Sequence, residues 1–420
     1  MKKIKVYDAI MGSGKTYNAI ERMKNYLNEG KKFIYITPFK TEIERVLEAL
    51  GNKEVYAPVG IEDSEPGGFE IENDFIEDDG TLDLNKKPSY KILNKRTQFL
   101  KMVSQEKNII STHSLFMNLK REDFSLFTDY ILILDEVVTP LKIEKIGAID
   151  IQILKNEDLV VINQETNEVK FICDDYNDPA FKHVKKLCDN SSVYYLDKYF
   201  FVWIFPIEIF KQFKEIQILT YLFDGSFLAA YFKMYNIDFE LLKEKSKKHL
   251  LEFKKLLNIY EGRSNNIIGK NTFSKTWIEN LSNRNAKKIE DATSNIFKRV
   301  FNTRANENAF TTFKSSRDKL SGGGYTKGFI PINSRASNEY SNKKSMAYLG
   351  NRYFKPQYVS FFREKGISLN EDLWALSELI QWVWRGCIRE GEEMNIFIPS
   401  ERMRALLNDW LDGKFNLETE

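Results

Sequence analysis

The chain has 420 residues, 62 Lys and Arg against 60 Asp and Glu, and a formal charge of +2. At 42% hydrophobic and 29% charged residues it is too apolar for a disordered protein and too balanced for a polybasic one, so any nucleic-acid contact must come from local patches. Three Cys and three scattered His exclude a disulfide framework and argue against a structural zinc site; no apolar run reaches the length of a membrane span, and the composition reads as a soluble cytoplasmic enzyme.

Ile4–Tyr7 has the pattern of a short strand and runs into Ala9-Ile-Met-Gly12-Ser13-Gly14-Lys15-Thr16. Tyr17–Glu29 follows with Ala19, Ile20, Met23, Tyr26 and Leu27 at helical spacing, and Lys32–Thr37 reads as a second strand. Strand, glycine turn, helix, strand is the context a phosphate-binding loop requires. Gly12 and Gly14 let the backbone curl its N–H groups toward phosphate oxygens, and the helix adds its positive end. Lys15 would reach the β- and γ-phosphates, and the Thr16 hydroxyl would bind Mg²⁺. A dinucleotide loop is disfavoured, because Tyr17 stands where that fingerprint needs a small residue.

The segment from Ile61 to Asp83 is polar and acidic and reads as a solvated insertion. Asn108–His113 is a short strand ending in small polar residues. Tyr130–Leu134 is a continuous apolar run, as in a strand buried on both faces, and it ends in Asp135-Glu136. Asp135 would hold Mg²⁺ through water, and Glu136 would polarise an attacking water, which favours hydrolysis over transfer to a hydroxyl. Gln217–Thr220 is a further strand, followed by Tyr221–Ser226. Thr37-Pro38, Thr112-His113 and Thr220 close strands of one parallel sheet, whose ends share an edge where ligands bind. Such donors suit a phosphate backbone, and each equally suits a helix cap.

In the second half, Lys243–Arg304 reads as loop-rich and basic. Strands are expected at Asn308–Phe313 and at Gly328–Ile332, and Met346–Leu349 is a further short apolar run, alternating units that fit a second α/β domain. Leu376, Leu379, Ile380, Val383 and Cys387 lie at helical spacing. Gln381, Arg385 and Arg389 at i, i+4 and i+8 are expected to share one helix face and to suit a triphosphate, before a strand at Met394–Ile398.

Taken together, the chain resembles superfamily-2 helicases, including phage-encoded ones, over most of its length. The resemblance rests on Ala9–Thr16 (motif I), Thr37-Pro38 (Ia), Ser111–His113 (Ib), Asp135-Glu136 in DEVV (II), Thr220–Ser226 (III), Thr311-Thr312 (IV), Asn333–Asn338 (V) and Gln381–Arg389 (VI). Motif III keeps only Thr220 of its usual pattern, and the second arginine of motif VI lies one residue further from the glutamine than usual. The resemblance implies an α/β fold of two tandem RecA-like P-loop NTPase domains, each a mainly parallel sheet flanked by helices, at 1–226 and 227–420. It implies ATP and Mg²⁺ as cofactors, with Gly12, Ser13, Gly14, Lys15 and Thr16 binding nucleotide and Asp135 joining Thr16 at the metal. Lys15, Glu136, Gln381, Arg385 and Arg389 are the implied catalytic set, acting across a cleft. Thr37, Pro38, Thr112, His113, Thr312 and Arg335 would touch nucleic acid, DNA more than RNA, in phage replication or recombination beside proteins of those processes. Two other readings stay open: a terminase-type packaging ATPase, and a nucleotide-switched adaptor without catalysis.

Overall fold

The computed structural model describes residues 4–51, 54–58, 69–71, 90–92, 94–243, 247–265, 267, 269, 271–333 and 339–415. By contact density the chain divides into two units: Met1–Val6, Thr16–Leu219 and Asp238–Glu240 in one, and Tyr7–Lys15, Thr220–Ile237 and Leu241–Glu420 in the other.

A seven-stranded sheet runs in the order Glu240–Lys243, Ile4–Asp8, Glu215–Thr220, Tyr130–Asp135, Lys32–Thr37, Asn108–Thr112, Val55–Tyr56. Pairing from Glu215–Thr220 through to Val55–Tyr56 is parallel throughout. Its central strands are apolar and buried along nearly their whole length, because helices cover both faces and neither face needs polar side chains. Thr37 sits opposite Thr112, and Asp135 opposite Leu219, so the polar strand ends are gathered at one edge.

Between Asp135 and Glu215 the first unit carries an antiparallel sheet that the sequence patterns had not indicated. Its order is Leu141–Lys145, Phe200–Ile204, Ser192–Asp197, Glu168–Phe171, Val160–Ile162. Ile151, Leu154, Val160, Val169, Val184, Val193 and Phe201 form a core of its own. The acidic 61–83 segment lies outside the described residues, apart from Phe69–Ile71, which pairs antiparallel with Tyr90–Ile92.

The second unit contains a four-stranded sheet, all parallel, in the order Leu257–Ile259, Met394–Phe397, Ser345–Tyr348, Asn308–Thr311. Alternation along the strands sorts side chains onto two faces. Ala309, Met346, Tyr348, Met394 and Ile396 join one cluster, with Leu376, Leu379, Ile380 and Val383 of the Glu371–Val383 helix and Leu407 and Trp410 of the Glu401–Leu411 helix. Phe310, Ala347, Leu349 and Phe397 join the other, with Ile278, Ile289 and Phe297.

Three expectations are corrected in this unit. Lys243–Arg304 is not loop-rich: it contains the helices Lys247–Leu256, Lys275–Glu279 and Asn283–Asn295 and the strand Leu257–Ile259. The Ser and Asn residues that suggest loop include N-caps. Ser274 accepts from the Trp277 N–H and Ser282 from the Asn285 N–H, while Ala286, Ile289 and Thr293 make the buried face. Gly328–Ile332 is not a strand: Thr326–Gly328 is a 3₁₀ turn, and only Phe329 bridges to Phe310.

Nor do Gln381, Arg385 and Arg389 share one helix face. The helix ends at Val383 with Trp384 as its cap, and Arg389 lies in a separate 3₁₀ turn, Cys387–Glu390. Gly386 is the reason. Its backbone is extended and pressed onto the sheet, where a Cβ would collide with the sulfurs of Met394 and Met346. A helix continued through that point would drive its side chains into the strands.

Candidate nucleotide site

In the first unit, the long apolar Tyr130–Asp135 strand delivers Asp135 to the sheet edge, and the helix that begins at Lys15 delivers Thr16. The Thr16 Oγ1 hydroxyl points at Asp135 Oδ1, 3.4 Å away, joining residues 119 apart in sequence. The other carboxylate oxygen, Oδ2, accepts the Tyr35 hydroxyl at 2.5 Å, and His113 Nε2 lies 2.8 Å from the Asp135 carbonyl oxygen. Burial, then the charge of Asp135, holds the Tyr35 phenol well above its ordinary pKa, so Tyr35 stays a donor and fixes Asp135 as acceptor. Tyr35 is a site residue that sequence reasoning overlooked. Its only signal is a hydroxyl in the middle of an otherwise apolar strand.

Glu136 follows at a positive φ of 66°, and its N–H donates to the Leu219 carbonyl at 2.9 Å. Its Oε2 is buried with no hydrogen-bond partner among the described residues. A non-glycine residue in the left-handed region with an unsatisfied carboxylate oxygen is a local strain that the fold must hold in place. A hydroxyl and a carboxylate at one sheet edge are an all-oxygen donor set of the kind Mg²⁺ takes beside phosphate oxygens.

At the same edge, Thr37 is buried and its hydroxyl has no partner among the described residues; Pro38 beside it is half-buried. Thr112 accepts from the Leu115 N–H at 3.3 Å, capping the four-residue helix His113–Phe116.

In the second unit, Gly12 and Gly14 take φ values of +81° and +85°, which only glycine adopts without strain. Lys15 Nζ donates to the carbonyls of Ala9, at 2.5 Å, and Ile10, at 2.9 Å, so the ammonium closes over the turn. The Ser13 hydroxyl oxygen is buried with no partner among the described residues. Asp8, unremarked in the sequence, anchors this turn. Its carboxylate accepts the N–H groups of Leu222, at 2.7 Å, and Phe223, at 3.2 Å, while the Ala9 N–H donates to the Thr220 carbonyl at 3.0 Å. Burial raises the Asp8 pKa, opposed by those two hydrogen bonds and by the charge of Lys15.

Trp384 is the other residue missed. Its ring covers Gly12, where a Cβ would lie 2.7 Å from Trp384 Cζ2 and 2.9 Å from Cη2, and it stacks on Phe253 with centroids 5.8 Å apart. The segment expected to carry arginines therefore packs on the glycine turn. Arg385, next in sequence, is only 5% exposed. Arg389 has its side chain 27% exposed, with Nε 3.8 Å from Glu390 Oε1. Gln381 donates to Ser377 Oγ at 3.4 Å, and Ser377 in turn to the Tyr221 carbonyl at 3.4 Å. Thr311 and Thr312 are fully buried, and neither hydroxyl has a partner among the described residues. Arg335 lies outside the described residues.

Comparison with known proteins places the chain. Residues 251–411 match the YonV C-terminal Rossmann-like domain. Over 442 aligned residues the chain is 34% identical to the SPbeta prophage-derived uncharacterized protein YonV of Bacillus subtilis (strain 168), covering 99% of this chain and 100% of that protein. The chain belongs to the YonV family. Two solved XPD structures, one of the XPD helicase and one of apo XPD, match at a TM-score of 0.51 and 12% identity. Both cover 99% of this chain, and 95% and 96% respectively of their own. At that identity the likeness establishes the fold: two tandem RecA-like domains, each built on a mainly parallel sheet. Among the described residues no helix is long and apolar enough to cross a membrane.

Proposed function

We propose that this YonV-family protein is an ATP-hydrolysing helicase or translocase that moves along nucleic acid, DNA in preference to RNA, during phage replication or recombination. The observation that carries the reading is the approach of the Thr16 hydroxyl to the Asp135 carboxylate, at the edge where Glu136 is also held. A glycine turn alone serves many proteins. A turn lysine, a helix-start hydroxyl and a strand-end Asp-Glu pair together suit hydrolysis of a triphosphate by water.

On this reading the two domains are 1–226 and 227–420, and the roles divide as follows. The N–H groups of Gly12–Thr16 cradle phosphate oxygens, and Lys15 turns from the Ala9 and Ile10 carbonyls to the β- and γ-phosphates. Thr16 and Asp135 would hold Mg²⁺, which when bound neutralises charge on the β- and γ-oxygens. Glu136 accepts a proton from the attacking water; its unsatisfied oxygen and fixed backbone suit a base held ready. Arg385 and Arg389, on the segment that packs Trp384 over Gly12, supply positive charge to the transferring group, with Gln381 beside them. Thr37, Pro38, Thr112, His113 and Thr312, together with Arg335, would grip a phosphate backbone without reading its sequence.

The test is ATP turnover by the purified full chain with no polymer, single-stranded DNA, duplex DNA or RNA. Stimulation by nucleic acid, greatest with DNA, supports the reading. Turnover that no polymer alters would contradict the translocase assignment, and absence of turnover under all four conditions would contradict the ATPase assignment.

A further inference from the structure

Tyr17 directly follows Thr16 in the first turn of the Lys15–Asn28 helix, yet 66% of its surface is exposed. The helix buries its opposite face through Ala19, Ile20 and Met23, so packing does not require an aromatic ring at this position. No hydrogen bond, ring contact or cation partner engages Tyr17 among the described residues. Helical side chains lean toward the helix N-terminus and cover the turn before their own Cα. For Tyr17 that turn is the glycine turn. The flank of the turn is open at Gly14, where a Cβ would meet nothing within 4 Å. Among the exposed large hydrophobic side chains described, Tyr17 is the one next to the phosphate cradle.

We propose that Tyr17 is the platform on which the base of a bound nucleoside triphosphate stacks. The inference rests on the nucleotide-site reading under Proposed function and adds the base-recognition element that reading lacks. A base presents a flat π-face that an aromatic ring accepts irrespective of its edge groups, so this contact contributes affinity without demanding one particular base. The phosphates would occupy the turn, and the base would lie back over the exposed ring.

The experiment is isothermal titration of the full chain, with Mg²⁺, against ATP and against inorganic tripolyphosphate, which has the phosphates and no base. Tyr17→Ala is expected to weaken ATP binding about tenfold, within the roughly five- to hundredfold range of base–aromatic stacking, and to leave tripolyphosphate binding unchanged. Tyr17→Trp is expected to retain ATP affinity. Because the ring is exposed, both variants should fold, which their circular dichroism checks. ATP affinity unchanged in Tyr17→Ala, or equal loss of ATP and tripolyphosphate binding, overturns this inference and leaves the phosphate site standing. A wild-type protein that binds neither compound overturns the phosphate-site reading, and the inference with it.

Discussion

Holding Glu136 at φ +66° costs on the order of 1–3 kcal/mol for a residue with a side chain. The hydrogen bond from its N–H to the Leu219 carbonyl holds it there, so the strain belongs to the parallel strand edge and not to a loose turn. Glu136→Gly should therefore relax the backbone while removing the proposed base, leaving folding stability near or above wild type and turnover abolished. Thermal melting and an ATPase assay check the two halves of that outcome. The arginines predict a different split. Arg385→Ala and Arg389→Ala should each lower kcat, by about 10³-fold for whichever serves the transferring phosphate, with little change in nucleotide affinity. Arg385 is buried, so Arg385→Ala also needs a melting curve to separate lost charge from lost packing. Retained turnover in the doubly substituted chain would remove both from the mechanism. At Gly12 the constraint is steric and conformational together. Gly12→Ala meets both a φ of +81° and the Trp384 ring, and is expected to lose stability by about 1–2 kcal/mol. Adding Trp384→Ala should recover only the steric part, which a double-mutant cycle reads directly.

At the scale of elements, what the sequence made legible follows from how strongly each pattern is determined. The strands Lys32–Thr37 and Tyr130–Asp135 are legible because a strand buried on both faces is apolar along nearly all its length, and few other structures require that. The turn at Gly12–Gly14 is legible because its glycines answer a backbone demand, a positive φ at each. The end of the Glu371–Val383 helix was not. Periodicity runs on through Cys387, and the termination comes from Gly386 lying against Met346 and Met394, contacts between segments far apart in sequence. Gly386→Ala should accordingly overpack that seam and lower stability by about 1–3 kcal/mol, more than an Ala costs at Gly323, where a Cβ would meet nothing within 4 Å and the backbone is not left-handed. The Asp8 anchor was equally hidden, since its partners are main-chain N–H groups more than 200 residues away. Its raised pKa gives a pH prediction. The folded state binds the Asp8 proton more tightly than the unfolded state, whose value is near 3.8. The stability Asp8 contributes is therefore greatest below that value and falls as pH rises through the window up to the folded pKa. The stability of wild type relative to Asp8→Asn should decline over that window and then level off, as denaturation at a series of pH values would record.

For the whole molecule, the YonV-family chain joins two mainly parallel sheets to an antiparallel insertion at Leu141–Ile204, and none of the candidate-site residues lies in the insertion. The insertion at Leu141–Ile204 has a separate core, so damage to it should stay local. Phe201→Ala removes a fully buried ring, which costs about 3–5 kcal/mol in a packed core. Hydrogen exchange should quicken across residues 141–204, while the Tyr130–Asp135 strand keeps its protection and ATP turnover is unchanged. Loss of protection in both would show one cooperative unit in place of two. The insertion escaped the sequence because its strands are short and its alternation is broken by half-exposed aromatics such as Tyr194 and Tyr195. On the reading proposed above, the Thr16 hydroxyl and the Asp135-Glu136 pair serve cleavage of the terminal phosphate of ATP by water. Single-turnover phosphate release, with DNA and Mg²⁺ present, tests it most directly on the full chain and on Glu136→Gln. The expected result is release by wild type and ATP binding intact in Glu136→Gln, with release slowed at least about 100-fold. Equal release by the two proteins, or none by wild type, would contradict it.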